Sequence, residues 1–231
     1  MKKMLDIWPE ELPVYIHEYG HPSKEAIDNV VAALKLNHRV SVICLENSST
    51  AVWETFAPLM EHPFPELTHL WIKSYPPIQN VIPCSFLGGS APCLQDLSLI
   101  DIPFPTLPEL LLSATNLVRL QYNSIPRSGY ISPQAMVTGL SALTRLQTLW
   151  LTFPPESRSY RAIRIPPPHT RTLLPALTYL CFRGVPEYME DLVVQIDAPL
   201  LDGIEITLFH QEVLEVSQLA KFVCRVESLV N

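Results

Sequence analysis

Residues 65–76 read PELTHLWIKSYP, and the spacing of their apolar residues decides the fold. Leu67, Leu70 and Ile72 are set three and then two positions apart, bracketed by Pro65 and Pro76. The Leu70/Ile72 pair has the period of a β-strand, so both side chains point to one face. The same order, P-x-L-x-x-L-x-L-x-x-x-P, returns four times. The copies are PCLQDLSLIDIP (92–103), TNLVRLQYNSIP (115–126), TRLQTLWLTFPP (144–155) and PALTYLCFRGVP (175–186). Thr115 and Thr144 replace the leading proline. In every copy a proline stands nine residues after the first leucine: Pro76, Pro103, Pro126, Pro155 and Pro186. Two weaker copies extend the array. One carries Val40, Ile43 and Leu45; the other carries Leu201, Ile204 and Ile206, with Pro199 leading and His210 where the trailing proline would be. LPVYIHEYG (12–20) has strand character but no register on this template.

The central apolar positions fall at 43, 70, 97, 120, 149, 180 and 204, about 27 residues apart, within the leucine-rich-repeat range of roughly 20–29. One such strand cannot bury its apolar face alone, whereas stacked neighbours form a parallel sheet with a continuous core. The connections read as amphipathic helices. Ser23 caps KEAIDNVVAALKLN, Ser49 precedes AVWETFAPLM, Ser132-Pro133 opens QAMVTGLSAL, and Ser217 precedes QLAKFVCRV; a serine cap and a first-turn proline are helix-start signals. EYMEDLVVQI and LPELLLSA complete the set. Strand alternating with helix requires parallel strands joined by crossovers. The expected fold is α/β: an irregular leucine-rich-repeat-like solenoid with a curved parallel sheet and helices and loops on its outer face. It should form one domain over residues 1–231, truncated at both ends because no capping repeat is evident.

Composition narrows the function. The 231 residues carry a formal net charge of −7, 48% hydrophobic and 17% charged residues, enough apolar material for a core. The acidic balance argues against nucleic acid, which needs a clustered basic surface. Proline is abundant at 23 and glycine scarce at 7, as expected of many short elements with abrupt ends. The five cysteines form no CxxC pair and read as reduced thiols of an intracellular protein, cytoplasmic or nuclear. MKKMLDIWPEELP lacks the apolar run of a signal peptide, and no stretch is long enough for a membrane span. Residues 154–175 hold Arg158, Arg161, Arg164 and Arg171 against one acid, Glu156. They read as a solvated insertion, with a basic docking loop as the alternative.

Several blocks carry a family resemblance: PFPELTHLWI, PCSFLGGSAPCLQDLSL, IPFPTLPELLLSATNLVRL, GYISPQAMVTGLSALTRLQTL, LLPALTYLCFRGVPEYMEDLV and IDAPLLDGIEIT. In this order they resemble the repeat region of basidiomycete F-box proteins, over roughly residues 5–225. The resemblance implies a leucine-rich solenoid that holds protein substrates for a cullin–RING ubiquitin ligase. An F-box segment is absent from these residues, so a ligase connection requires an F-box supplied elsewhere. Without it, the alternative is a ligase-independent scaffold or decoy that binds the same partner.

No enzyme site and no cofactor is expected. His17-Glu18-Tyr19-Gly20-His21 spells HExxH, the zinc-hydrolase pattern, which needs both histidines on one helix face. Here it follows an alternating strand and contains Gly20, with Pro22 next, so a strand-to-turn segment is expected and a zinc hydrolase is the remote alternative. Gly88-Gly89-Ser90 lacks the lysine of a phosphate loop and reads as a turn.

The repeat geometry assigns a binding surface. Residues between the template leucines face the other side of each strand, the concave side of a horseshoe. They are Val42, Cys44 and Glu46; His69, Trp71 and Lys73; Asp96, Ser98 and Ile100; Arg119, Gln121 and Asn123; Thr148, Trp150 and Thr152; Tyr179, Cys181 and Arg183; Gly203, Glu205 and Thr207. Trp, Tyr and Arg dominate interface hot spots, so Trp71, Lys73, Arg119, Gln121, Trp150, Tyr179 and Arg183 are the candidate protein-binding residues. The competing expectation is that a neighbouring loop covers the tryptophans.

Overall fold

The computed structural model describes residues 9, 12–20, 22–48, 50–75, 80–155, 170–209 and 217–227. Eight strands form one parallel sheet. They are β1 (Val14–Tyr19), β2 (Val40–Ser48), β3 (His69–Ser74), β4 (Asp96–Ile100), β5 (Arg119–Asn123), β6 (Thr148–Thr152), β8 (Tyr179–Gly184) and β10 (Gly203–Leu208). Their order across the sheet follows their order in the chain. β7 (Thr172–Leu173) and β9 (Ile196–Asp197) make a separate two-stranded parallel pair beside it. The segment at 12–20, left without a register by the template, enters as β1, with Ile16 beside Ile43 and His17 beside Cys44.

The template's parts have distinct physical jobs. Each first leucine closes a tight turn by donating its N–H to the carbonyl three residues back: Leu67 to Phe64, Leu94 to Ala91, Leu117 to Ala114, Leu146 to Leu143, Leu177 to Leu174 and Leu201 to Ala198. The leading proline is the second residue of that turn, where its fixed φ suits the geometry. Next comes a shared carbonyl. The oxygens of Thr68, Gln95, Val118, Gln147 and Thr178 each accept two amides from the next repeat, for example Gln95 and Asp96 on Thr68. This pair of hydrogen bonds ties the start of each following strand to the one before it. The central leucines then stand side by side: Leu70, Leu97, Leu120, Leu149 and Leu180 are direct neighbours across five strands, all at most 1% exposed.

Trailing prolines end the strands. Pro126 accepts from the Gly129 amide, opening a short 3-10 turn, and Pro186 is the first residue of a helix; Pro76 lies outside the described residues. The helices are α1 (Lys24–Leu34), α2 (Thr50–Phe56), α3 (Leu107–Leu111), α4 (Pro133–Leu140), α5 (Pro186–Val193) and α6 (Ser217–Glu227). Ser23 caps α1 by accepting the Ala26 amide at 3.2 Å, and Ser132 caps α4 through Ala135 at the same distance. Ser49 lies outside the described residues. The α6 amino end is held from α5, since the Glu190 carboxylate accepts the amides of Gln218 and Leu219, both at 2.8 Å. Buried helix residues such as Leu34, Leu111, Met136 and Leu192 join the template leucines in one apolar cluster. Among the described residues the helices therefore pack on one face of the sheet, the face that carries the template leucines.

The last strand departs from the template in burial. Ile204 occupies a central leucine position on the edge strand β10 yet is 39% exposed, whereas Ile16 on the opposite edge strand β1 is 3% exposed. The glycine pair behaves as a turn: Gly88 and Gly89 have φ of +68° and +73°, and a Cβ on Gly88 would stand 3.0 Å from Pro63 backbone atoms. Among the described residues, no helix is long and apolar enough to cross a membrane.

Candidate functional site

The open sheet face is built from three columns, each one residue deep and eight strands wide. Backbone register makes His69, Asp96 and Arg119 consecutive neighbours, with Thr148 and Tyr179 following. The middle column runs Cys44, Trp71, Ser98, Gln121, Trp150, Cys181 and Glu205. The columns expected from the repeat alignment are those the strand register forms. β1 adds a member to each that the template missed: Tyr15 beside Val42, His17 beside Cys44 and Tyr19 beside Glu46. Alternation of V-Y-I-H-E-Y was the available signal, but with no leading leucine its phase could not be set against the other strands.

The two tryptophans differ in setting. Trp71 is 44% exposed, and Tyr15 and Tyr19 on the same face are 59% and 61% exposed. Trp150 is half-buried: its ring lies 6.0 Å from that of Tyr179, and its indole nitrogen is buried with no hydrogen-bond partner. Trp71 and Trp150 are three strands apart, about 14 Å at the usual strand spacing. The exposed aromatic surface thus concentrates at β1–β3, and Trp150 is half-covered beside Tyr179.

Charge is arranged in cross-strand pairs. Lys73 Nζ meets Glu46 Oε1 at 3.0 Å, Arg119 pairs with Asp96, and Arg183 Nη2 meets Glu205 Oε1 at 2.9 Å. These three ion pairs all lie on this face. Tyr179 donates to the second Glu205 oxygen at 3.2 Å, and Ser98 donates to Gln121 at 3.3 Å. Arg119 and Arg183 stay exposed while held by their acids, so their guanidiniums are positioned without being covered; Arg retains further donors for a partner carboxylate. The Arg183 and Tyr179 bonds hold the Glu205 carboxyl below the usual glutamate range, while burial and Glu205 push the Tyr179 phenol up. Burial also raises the Cys181 thiol, and the Cys44 bond raises the Tyr19 phenol.

A titration follows from this. A depressed folded-state pKa means that the contribution of Glu205 is present above its unfolded value and is lost as pH falls through the lower folded one. A 13C carboxyl NMR titration should place Glu205 below an ordinary glutamate, and Arg183→Ala should return it toward the ordinary value. An unchanged midpoint in Arg183→Ala would remove the pair as the cause.

His17, Glu18 and Tyr19 lie in β1 and Gly20 turns the chain at φ +82°; His21 is outside the described residues. Adjacent strand residues point to opposite faces, so His17 and Glu18 do not share the helix face that the zinc-hydrolase pattern uses. Among the described residues, no three His, Cys, Asp or Glu gather where they could hold a metal ion. Arg158, Arg161 and Arg164 of the expected basic loop also fall outside the described residues, whereas Arg171 donates to the Val194 carbonyl at 3.1 Å. No protein-family model, no curated protein and no solved structure matches this chain.

Proposed function

We propose that the chain is an irregular leucine-rich-repeat-like solenoid that works as a non-catalytic protein-recognition module, with the sheet face opposite the template leucines as its binding surface. One observation carries this reading. A sheet face eight strands wide exposes Tyr15, Tyr19 and Trp71 at its β1–β3 end and carries acid-anchored arginines on β5 and β8, and these are the residue types that dominate hot spots. Specificity on such a face comes from scattered surface side chains, which is consistent with the lack of a compact catalytic constellation in the sequence. The favoured role is substrate recognition in an F-box-type cullin–RING ligase, resting on the resemblance of the repeat blocks. The alternative is a ligase-independent scaffold or decoy. Affinity capture separates the two. Recovery of cullin-ligase subunits with a bound substrate supports the first, and a stable partner without those subunits supports the second.

A further inference from the structure

A second feature lies at the edge of the main sheet, on β1. Gly20 donates its N–H to the Glu46 carbonyl at 3.1 Å, and Tyr19 stands opposite Glu46. Alternate residues of a parallel ladder bond to the same neighbour, so Ile16, Glu18 and Gly20 direct their backbone groups at β2. Tyr15, His17 and Tyr19 direct theirs away from it. β1 is the first strand in the sheet order, and among the described residues no strand pairs with its outer side. Such an edge presents unpaired N–H and C=O groups that template another strand, and natural edges are blunted by lysine, proline or bulges. Residues 15–19 hold no lysine and no proline. Their pairing with β2 is regular, the register shift lying before them, between Val14 and Tyr15.

The length and sequence of this edge narrow its occupant. Pro13 has no N–H to offer, and Gly20 turns the chain away at φ +82°, so the outward groups belong to three residues centred on His17. A second copy running antiparallel about a two-fold axis at His17 matches all of them. Tyr15 then exchanges both backbone bonds with Tyr19 of the second copy, His17 with its counterpart, and Tyr19 with Tyr15. A register slipped by two residues leaves one tyrosine of each copy unpaired. Opposed residues share a face, so the exposed rings of Tyr15 and Tyr19 meet as aromatic cross-strand pairs. Glu18, the one acid or base in residues 15–19 besides His17, falls opposite Ile16 of the second copy, so the two carboxylates do not face each other. The Tyr19 side-chain contacts with His17 and Cys44 are left in place, because the pairing uses backbone groups. A two-fold contact of this kind closes on itself. We propose that β1 is a homodimerisation edge, at which two copies of the chain join antiparallel into one continuous sheet.

Sedimentation velocity of the full chain over a concentration series should show a monomer passing to a dimer. Hydrogen exchange read by NMR should show the amides of Tyr15, His17 and Tyr19 slowing at least tenfold as the dimer fills, while those of Glu18 and Gly20 are protected in monomer and dimer alike. His17→Pro removes bonds of the dimer and none of the isolated ladder, because that N–H points outward. Tyr15→Lys places a charge on the edge. Each should weaken the dimer at least tenfold. Trp71→Ala on β3 should leave it unchanged, which separates this test from that of the binding face. A monomer at every concentration, a dimer in which the Tyr15, His17 and Tyr19 amides exchange as in the monomer, or an undiminished dimer in folded His17→Pro or Tyr15→Lys would each overturn the proposal. Should either variant fail to fold, the wild-type amides decide.

Discussion

Leu97→Ala will destabilise the protein by about 2–5 kcal/mol, the range for a buried leucine truncated in a core that cannot collapse around the gap. Leu97 has no solvent exposure. It stands between Leu70 and Leu120 in the leucine ladder, on a strand with neighbours on both sides. Those neighbours are fixed by backbone pairing, so they cannot slide inward to refill the space, and the cavity contribution adds to the lost burial. Ile204 is the internal comparison. It holds the same template position on β10 but is 39% exposed, so Ile204→Ala should cost less than Leu97→Ala, because less of its area leaves water on folding and no closed cavity is left behind. Denaturant unfolding of the two variants checks the order. Equal losses would contradict the assignment of β10 as a partly covered edge.

Tyr122→Phe is the second large effect, expected at about 2–4 kcal/mol although it removes one oxygen. Tyr122 is fully buried. Its hydroxyl accepts the Phe104 amide at 2.9 Å and donates to the Gly129 carbonyl at 3.0 Å. One side chain therefore joins the loop after β4 to the loop after β5. Burial holds its phenol well above the ordinary tyrosine value, so the hydroxyl keeps its proton at neutral pH and remains a donor. Phenylalanine keeps the ring packing and strands two backbone groups in the interior, each costing about 1–3 kcal/mol when left unsatisfied. Gly129 shows how close the junction is, since a Cβ there would lie 2.5 Å from the Tyr122 oxygen and 2.8 Å from Pro103 Cα. Equilibrium unfolding of Tyr122→Phe reads the effect. A loss under about 0.5 kcal/mol would mean that water or a shifted loop replaces the hydroxyl.

The repeat made the main sheet legible because every part of it acts locally. The leading proline shapes a four-residue turn, the leucines alternate along one strand, and the trailing proline ends it, so a twelve-residue window contains the cause of each. The candidate face followed directly, since fixing which residues point inward fixes which point out. What escaped the sequence depends on distant partners. The phase of β1 is set by pairing Ile16 with Ile43, not by a motif of its own. The Tyr122 junction joins residues 18 apart at one end and 7 at the other, and Tyr122 occupies a template position that reads simply as core. The half-burial of Trp150 comes from Tyr179 on the next strand, which the column order alone could not convey. The exposure of Ile204 is not marked in its template position either.

Quantitative partner capture with Trp71→Ala/Trp150→Ala, measured beside the thermal stability of the same variant, tests the binding-face proposal most directly. Trp71 is 44% exposed and the Trp150 nitrogen has no partner to lose, so the fold should survive. The proposal predicts at least a tenfold loss of captured partner with cooperative unfolding retained, and no loss for Glu109→Gln. Full capture by a folded Trp71→Ala/Trp150→Ala variant would contradict the assignment of the open sheet face as the recognition surface.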